Sequence, residues 1–525
     1  MRSLMQKQLD WAYLFWMARV HAMVPLLCWY IDVTCRDALP TAILNQLRKH
    51  FRHNARNNLF VTRELLRILD LFEEYGIEAI PYKGPVLASS VYGNLALRQF
   101  VDLDFLIQKQ DALKARDLLL SQGYRPENPL ATEKEVSYLR SERELVFIRN
   151  DGRVFLDIHW QIVPQYFSFR LDHQRLWKNL EAISLGGRKI MTFSPEDLLM
   201  ILCVHNGGKH HWERLGWICD VARLIEVHKS LDWGRVIEQA GALGAERILF
   251  LGLYLANSLL GASLPEAVSK RVFLDRAVES LAQRIHARLF QNSQDSSGLV
   301  ERSLFHLKMR ERVRDRVNCF LRMATVPTVG DLMFLPLPQS LFLLYYLLRP
   351  IRLAGRLGLG LFDPKVSVPF VPTPVEVVER MLEMAAVRPG DVVYDLGCGD
   401  GRIVIMAAKR YGAHGVGVDI DPHRIKESEA NARSEGVDQL VTFWQKDARK
   451  IDFSGASVVM LYLPRSMNLK LKNTIQRELQ PGARIVSHEY EIGNWPPVKT
   501  EIVLDAIGTS HMIFMWKIHK SSNPD

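Results

Sequence analysis

Apolar positions follow two periods along this chain, and the switches between them mark its elements. From Asn58, Leu65, Leu66, Leu69 and Phe72 recur at helical spacing, with Gly76 placed to end the helix. A strand is predicted over 77–82 and a helical pattern over 86–92. At 101–107 the period becomes two: Asp102 and Asp104 share one face of a strand whose other face carries Val101, Leu103 and Phe105. A further strand over 154–160 holds Asp157 within an apolar run, and 235–320 reads as helices with a loop at 292–298. The last third alternates strictly. Val377, Val378, Met381, Leu382, Met384 and Ala385 form a helical stripe, and strand-like runs follow at 393–396, 415–418, 440–444 and 456–463.

Within that last third, VYDLGCGDGR at 393–402 runs from a β-branched strand through Gly397, Gly399 and Gly401 into the helical pattern Ile403, Val404, Met406 and Ala407. A glycine turn opening a helix lets a ligand approach the backbone, and the free N–H groups of the helix N-terminus offer donors. Asp419 closes the next strand about twenty positions on, where an acid can take both hydroxyls of a ribose, and Asp447 follows the third strand. The pattern resembles the class I S-adenosylmethionine (SAM) methyltransferases. The resemblance implies a Rossmann-like doubly wound domain with Asp395, Gly397, Gly399, Asp400, Gly401, Asp419 and Asp447 around SAM. A dinucleotide-binding dehydrogenase fits less well, because the last glycine falls two positions after the second instead of three.

Leu461-Tyr462-Leu463-Pro464 ends the fourth strand, where base-modifying methyltransferases carry Asn-Pro-Pro-Tyr or Asp-Pro-Pro-Tyr, so N6-adenine methylation is disfavoured. Asn468, a Leu-rich helix, Pro481-Gly482 and Asp400-Gly401-Arg402 resemble the histone-lysine-type and mitochondrial lysine methyltransferases. That likeness implies a protein lysine acceptor, with a small molecule or RNA as alternatives. Tyr462 and Asn468 are the candidate catalytic residues, and His488 lines the acceptor side. Each also has a plain reading: strand core, helix N-cap and satisfied strand residue. Thr373 is expected to N-cap the next helix, and the segment with Pro372 and Thr373 to close over SAM.

In the first half, two carboxylates side by side on a strand stay ionised together only beside something positive, most simply Mg²⁺, and Asp157 is the natural third member. Glycine, then Asp-x-Asp, then a later strand Asp resembles the polymerase-β-like nucleotidyltransferases. Tyr82-Lys83-Gly84, Tyr92-Gly93, Arg98, Asp102-x-Asp104, Gly123-Tyr124, Asp157-x-His159-Trp160 and the run His205, Lys209, His210, Trp212, Leu215, Trp217, Asp220 narrow it. With Leu348-Arg349-Pro350 and Arg352-Leu353, they resemble an uncharacterised bacterial nucleotidyltransferase family over about 5–357. The resemblance implies Mg²⁺ on Asp102, Asp104 and Asp157 and an NTP on Lys83, Gly84 and Arg98. Two departures from the wider superfamily stand out: Lys83-Gly84 replaces Gly-Ser, and the gap to Asp102 is long. The alternative is a silent nucleotide- or partner-binding module that presents substrate to the methyltransferase. His205, His210 and His211 lack a well-spaced fourth ligand and are read as packed or facing the nucleotide cleft.

Composition sharpens this. With 525 residues the chain exceeds one core. The expected organisation is a nucleotidyltransferase-like α+β domain at 1–230, a helical extension and linker at 231–362, and the methyltransferase at 363–525: an α/β multidomain chain. A hydrophobic fraction of 48% and a charged fraction of 24% are those of a soluble protein. From residue 366 onward 19 Lys and Arg face 20 Asp and Glu, so the net charge of +9 resides in the first 365 residues. That excess suits a polyanion, a nucleotide or an anionic membrane surface, or simply solvated surface. Nucleic-acid binding is disfavoured for want of a recognised motif; Arg310, Arg312, Arg314 and Arg316 read as a solvated face. Six scattered cysteines without C-x-x-C spacing indicate neither a zinc site nor a disulfide framework, and a reducing cytoplasm fits them. Residues 11–31 read as one buried helix ending near Pro25, with no leader cleavage site. Residues 332–361 are cut by Pro336, Pro338 and Pro350 into pieces too short to span a membrane, leaving peripheral contact as the membrane option.

Overall fold

The computed structural model describes residues 11–34, 41–127, 135–163, 173–290, 299–356, 370–506 and 510–519, together with Leu9 and Phe167. The expected loop at 292–298 and most of the proline-rich join at 363–374 lie outside these residues. The chain forms two compact units, the first running essentially to Asp363 and the second from Pro364.

The first unit is built on a five-stranded sheet in the order β1-β2-β5-β4-β3. These strands are β1 (Ala79–Pro81), β2 (Asp102–Ile107), β3 (Tyr124–Pro126), β4 (Glu144–Arg149) and β5 (Phe155–His159). β2 and β5 are parallel neighbours, with Asp104 opposite Asp157. A 34-residue helix, Thr41–Glu74, covers the sheet. It starts well before the expected Asn58, because Leu44 and Leu47 continue the buried stripe of Val61, Leu65, Ile68 and Phe72. A hairpin, β6 (Leu180–Leu185) with β7 (Arg188–Phe193), and a run of helices complete the unit. The helices to Met309 share one apolar core with Ile80, Tyr82, Leu87 and Val91, so the helical part and the sheet are one packed body.

Three expectations change here. Residues 11–34 form two helices, Trp11–Val20 and Val24–Thr34, with Pro25 in the first turn of the second, where no backbone N–H is needed. Pro350 lies inside the helix Tyr345–Arg356 instead of breaking it. Arg310 is fully buried over the Phe167 ring, 4.6 Å from its centroid, while Arg312 and Arg316 donate to the carbonyls of Gly241 and Arg310. No described helix is long and apolar enough to cross a membrane.

The second unit is a seven-stranded sheet, β10-β9-β8-β11-β12-β14-β13. Its strands are β8 (Val392–Leu396), β9 (His414–Asp419), β10 (Val441–Gln445), β11 (Val458–Leu461), β12 (Arg484–His488), β13 (Lys499–Leu504) and β14 (Ser510–Lys517). The first five in that order are parallel; β14 joins β12 antiparallel and pairs with β13. The order reverses between β8 and β11, which is where an open α/β sheet leaves a crevice beyond its carboxyl ends. The predicted stripe from Val377 to Ala385 packs on this sheet from the helix Val375–Met384. The five described cysteines are free and buried.

Candidate functional sites

The crevice of the second unit is a cleft of about 450 Å³. The turn after β8 forms one wall: Gly397, Gly399 and Gly401 adopt left-handed φ of 79°, 55° and 81°, which residues with a Cβ rarely take. At Gly399 a Cβ would also meet the Phe370 ring at 2.0 Å. Gly397 and Cys398 donate N–H to the Val418 carbonyl, and Gly399 N–H donates to Asp419 Oδ2 at 3.0 Å, so the acid ending β9 holds the turn. Arg402 grips Asp400 at 2.5 Å and donates to the Thr373 carbonyl at 2.9 Å, drawing the segment 370–373 onto the turn. Arg424 stacks on Phe370, its guanidinium 4.1 Å from the ring centroid.

Asp395, Asp400, Asp419 and Asp447 all line the cleft. Asp447 is clasped by Arg449, with contacts of 2.5 to 3.0 Å. Burial, with the charges of Asp419 and Asp400, pushes Asp395 up to about 8. A buried acid beside two others fits a cationic ligand, and the left-handed turn gives it a backbone to lie against; this donor set therefore fits SAM, whose sulfonium and amine are positive.

Thr373 is not the N-cap; Pro374 is, and the buried Thr373 hydroxyl meets His488 Nδ1 at 3.2 Å. Tyr462 lines the cleft and packs at a tilt against the fully buried His488, centroids 4.0 Å apart, with Tyr490 6.3 Å from Tyr462. Asn468 is neither N-cap nor lining. Its helix, Arg465–Glu478, is capped at Pro464, and its buried amide meets Ser487 Oγ and the Tyr490 carbonyl at 3.4 Å, supporting the wall from behind.

The first unit gathers a second set of charges. Gly84, at φ 52°, lies so close to β2 that a Cβ would be 3.1 Å from the Asp102 carbonyl, and this brings Lys83 onto the strand. Lys83 Nζ reaches Asp104 Oδ1 at 2.9 Å and His205 Nε2 at 3.1 Å. His159 bridges Asp104 at 3.2 Å and Glu144 at 2.9 Å, and Lys209 meets Glu144 at 3.1 Å. Burial alone would raise Asp104, but the Lys83 ammonium and His159 outweigh it and hold it well below the carboxylate range. Burial and the Asp104 charge push Asp157 up to about 7 and raise Asp102. The tight ligand group is Asp104, Asp157 and His159, with Asp102 outside it and His159 in its place. Asp104 Oδ2 is buried without a hydrogen bond, which fits a divalent cation, although Lys83 and His159 already supply charge on the other oxygen.

Arg98 adds its charge beside Asp102. It makes a bidentate pair with Asp220 at 2.9 and 3.0 Å, which Tyr92 Oη also joins at 2.8 Å. His205 lies in a π-helical turn, Val204–Lys209, where Gly207 and Gly208 admit Trp212 and Phe167. His210 packs between His205 and Trp217, with ring centroids 4.7 and 4.8 Å apart and the rings tilted, and His211 pairs with His306 at 3.1 Å. Burial lowers the pKa of all of these imidazoles, which favours their neutral forms.

Comparison with known proteins agrees with this division. The family described as uncharacterised nucleotidyltransferase matches residues 7–261, and the ANTKMT methyltransferase domain matches 395–499. A protein-lysine N-methyltransferase of Saccharolobus islandicus is 44% identical over 152 residues, covering 29% of this chain and 94% of the relative. The chain belongs to this SAM-dependent methyltransferase family. The methyltransferase unit is also 32% identical to the adenine nucleotide translocase lysine N-methyltransferase of Mus musculus, covering 26% of this chain and 58% of that relative. A solved RNA methyltransferase from Salinibacter ruber with S-adenosyl-L-homocysteine is 46% identical, covering 30% of this chain and 98% of its own, with a TM-score of 0.28. The chain thus spans little more than half the mouse relative, and these relatives cover under a third of this chain.

Proposed function

We propose that the methyltransferase unit methylates the ε-amine of a protein lysine. The 44% identity to a protein-lysine N-methyltransferase over 94% of that relative's length carries this reading. The cofactor supplies the sulfonium methyl. On this reading the glycine turn, Asp395, Asp400, Asp419 and Asp447 hold it, and the segment with Thr373 excludes water. Tyr462, backed by His488, orients a neutral amine along the displacement axis, because alignment is the main contribution a protein makes to such a transfer. Asn468 acts by keeping Ser487 and Tyr490 in place. Incubating the full chain with tritiated-methyl SAM and a cell lysate tests the reading: label is expected in methyl-lysine after acid hydrolysis. Label removed by ribonuclease, or confined to small molecules, contradicts it.

The first unit is proposed to bind a nucleotide with Mg²⁺ at Asp104, Asp157 and Asp102, in a reducing cytoplasm; the buried, unbonded Asp104 Oδ2 supports the cation. The Lys83–Asp104 pair favours a second reading, in which this unit binds nucleotide or partner without chemistry and presents the substrate. Pyrophosphate release from NTPs by the full chain, lost in Asp104→Asn, separates the two.

A further inference from the structure

Beside the methyltransferase cleft, His488, which backs Tyr462, also belongs to a second cluster. β12 ends at His488, β14 begins next to His511, and their antiparallel pairing brings these histidines together across 23 residues of chain. His488 Nε2 and His511 Nδ1 are 3.0 Å apart, His511 Nδ1 and Glu489 Oε1 3.2 Å, and His488 Nε2 and Glu489 Oε1 3.5 Å. Three donor atoms thus form a near-equilateral triangle. Tetrahedral ligands at zinc distances of about 2.0–2.1 Å stand about 3.3 Å from one another, which is the size of this triangle.

The outward atoms are arranged to match. His511 Nε2 meets Asp505 Oδ2 at 3.2 Å, and His488 Nδ1 meets the Thr373 hydroxyl at 3.2 Å. A carboxylate only accepts, so Asp505 and Glu489, each 3.2 Å from one nitrogen of His511, compete for its ring proton, and the tautomer with the proton on Nε2 turns the Nδ1 lone pair inward. Metal-binding histidines are oriented in this way by outer-shell carboxylates and hydroxyls. Glu489 adds an independent sign. Its φ of 68° is left-handed, a conformation that disfavours a side chain, and it points that side chain at both imidazoles. The cluster is also sheltered, with side-chain exposures of 0% for His488, 14% for Glu489 and 13% for His511.

We propose that His488, Glu489 and His511 bind a divalent cation of the zinc class, with two imidazoles and one carboxylate as ligands and a fourth position for water. In the tautomer that turns both imidazole lone pairs inward, two nitrogens and a carboxylate oxygen face one point that a cation fills, and this donor set is borderline in softness, suiting zinc over magnesium. The ion fastens Thr373 and the Tyr462–His488 ring pair, so it organises the cleft wall. The site stands whether or not lysine is the acceptor.

The test is metal uptake by the full chain, stripped with chelator and titrated with Co²⁺. Wild type is expected to gain visible bands of tetrahedral intensity, displaced by Zn²⁺, and to hold one equivalent more than His511→Ala. Glu489→Gln, which keeps the size of the side chain, is expected to lose affinity, and Asp505→Ala to lose about tenfold through the outer shell. Circular dichroism confirms that each variant is folded. Equal uptake by wild type and both ligand variants overturns the proposal. So does a wild type that takes up no metal while His511→Ala merely shifts the pH profile of methyl transfer, which is the outcome for a hydrogen-bonded proton relay.

Discussion

The two units each gather aspartates at their candidate site, and they neutralise them differently. In the methyltransferase cleft, Asp400 has Arg402 beside it, Asp419 is held by backbone N–H groups, and Asp395 is raised by burial and by its two acidic neighbours. In the first unit, Asp104 has Lys83 on one oxygen and His159 beside it. A carboxylate cluster implies a ligand only to the extent that the fold leaves its charge uncompensated. By that measure the methyltransferase cleft is built for a cationic ligand, and the first unit has supplied much of a cation from its own chain.

The comparison can be broken most severely at the turn. Gly399→Val places a side chain against Phe370 at left-handed φ, and methyl transfer is expected to fall more than about 100-fold, a loss of about 2.8 kcal/mol or more in binding. A radiolabel assay reads it, with the thermal unfolding of the first unit unchanged. Next comes the internal cation of the other cluster. Lys83→Met leaves Asp104 buried with only His159, and is expected to cost about 3 kcal/mol of first-unit stability in urea unfolding, whereas SAM affinity holds. Asp104 is held low, so this pair's contribution is present above the unfolded carboxylate pKa and disappears as pH falls through the folded value; the variant and wild type are expected to converge in acid.

Asp395 provides a smaller effect of opposite sign. Its folded pKa, about 8, exceeds the unfolded value of about 3.9, so between these pH values the folded state keeps a proton that the unfolded state has lost, and stability falls as pH rises. Asp395→Asn is expected to flatten this slope in pH-dependent melting and to weaken SAM binding about tenfold. For wild type, a cationic ligand favours the ionised acid, so affinity is expected to strengthen from pH 7 to 9. The smallest change belongs to Arg449→Ala. The Arg449–Asp447 pair is partly exposed, so affinity is expected to change no more than about threefold.

Local signals made much of this legible in the sequence. The glycine turn, Asp419 and the period-two Asp102 and Asp104 each follow from a few adjacent residues, and each lies on the strand or turn expected. What was hidden depends on distant pairing. The pairing of Arg98 with Asp220, 122 residues away, has no local sign in the sequence. Thr373 reads as a cap until β12 presents His488, 115 residues on. The His488–Glu489–His511 triangle needs an antiparallel register and a left-handed residue, neither of which leaves a local pattern.

The central claim, that SAM binds at the turn following β8, is tested most directly by calorimetric titration of SAM into the full chain and into Gly399→Val. One site per wild-type chain and no measurable binding to a folded variant is the predicted result. Equal affinity in the two proteins would contradict it.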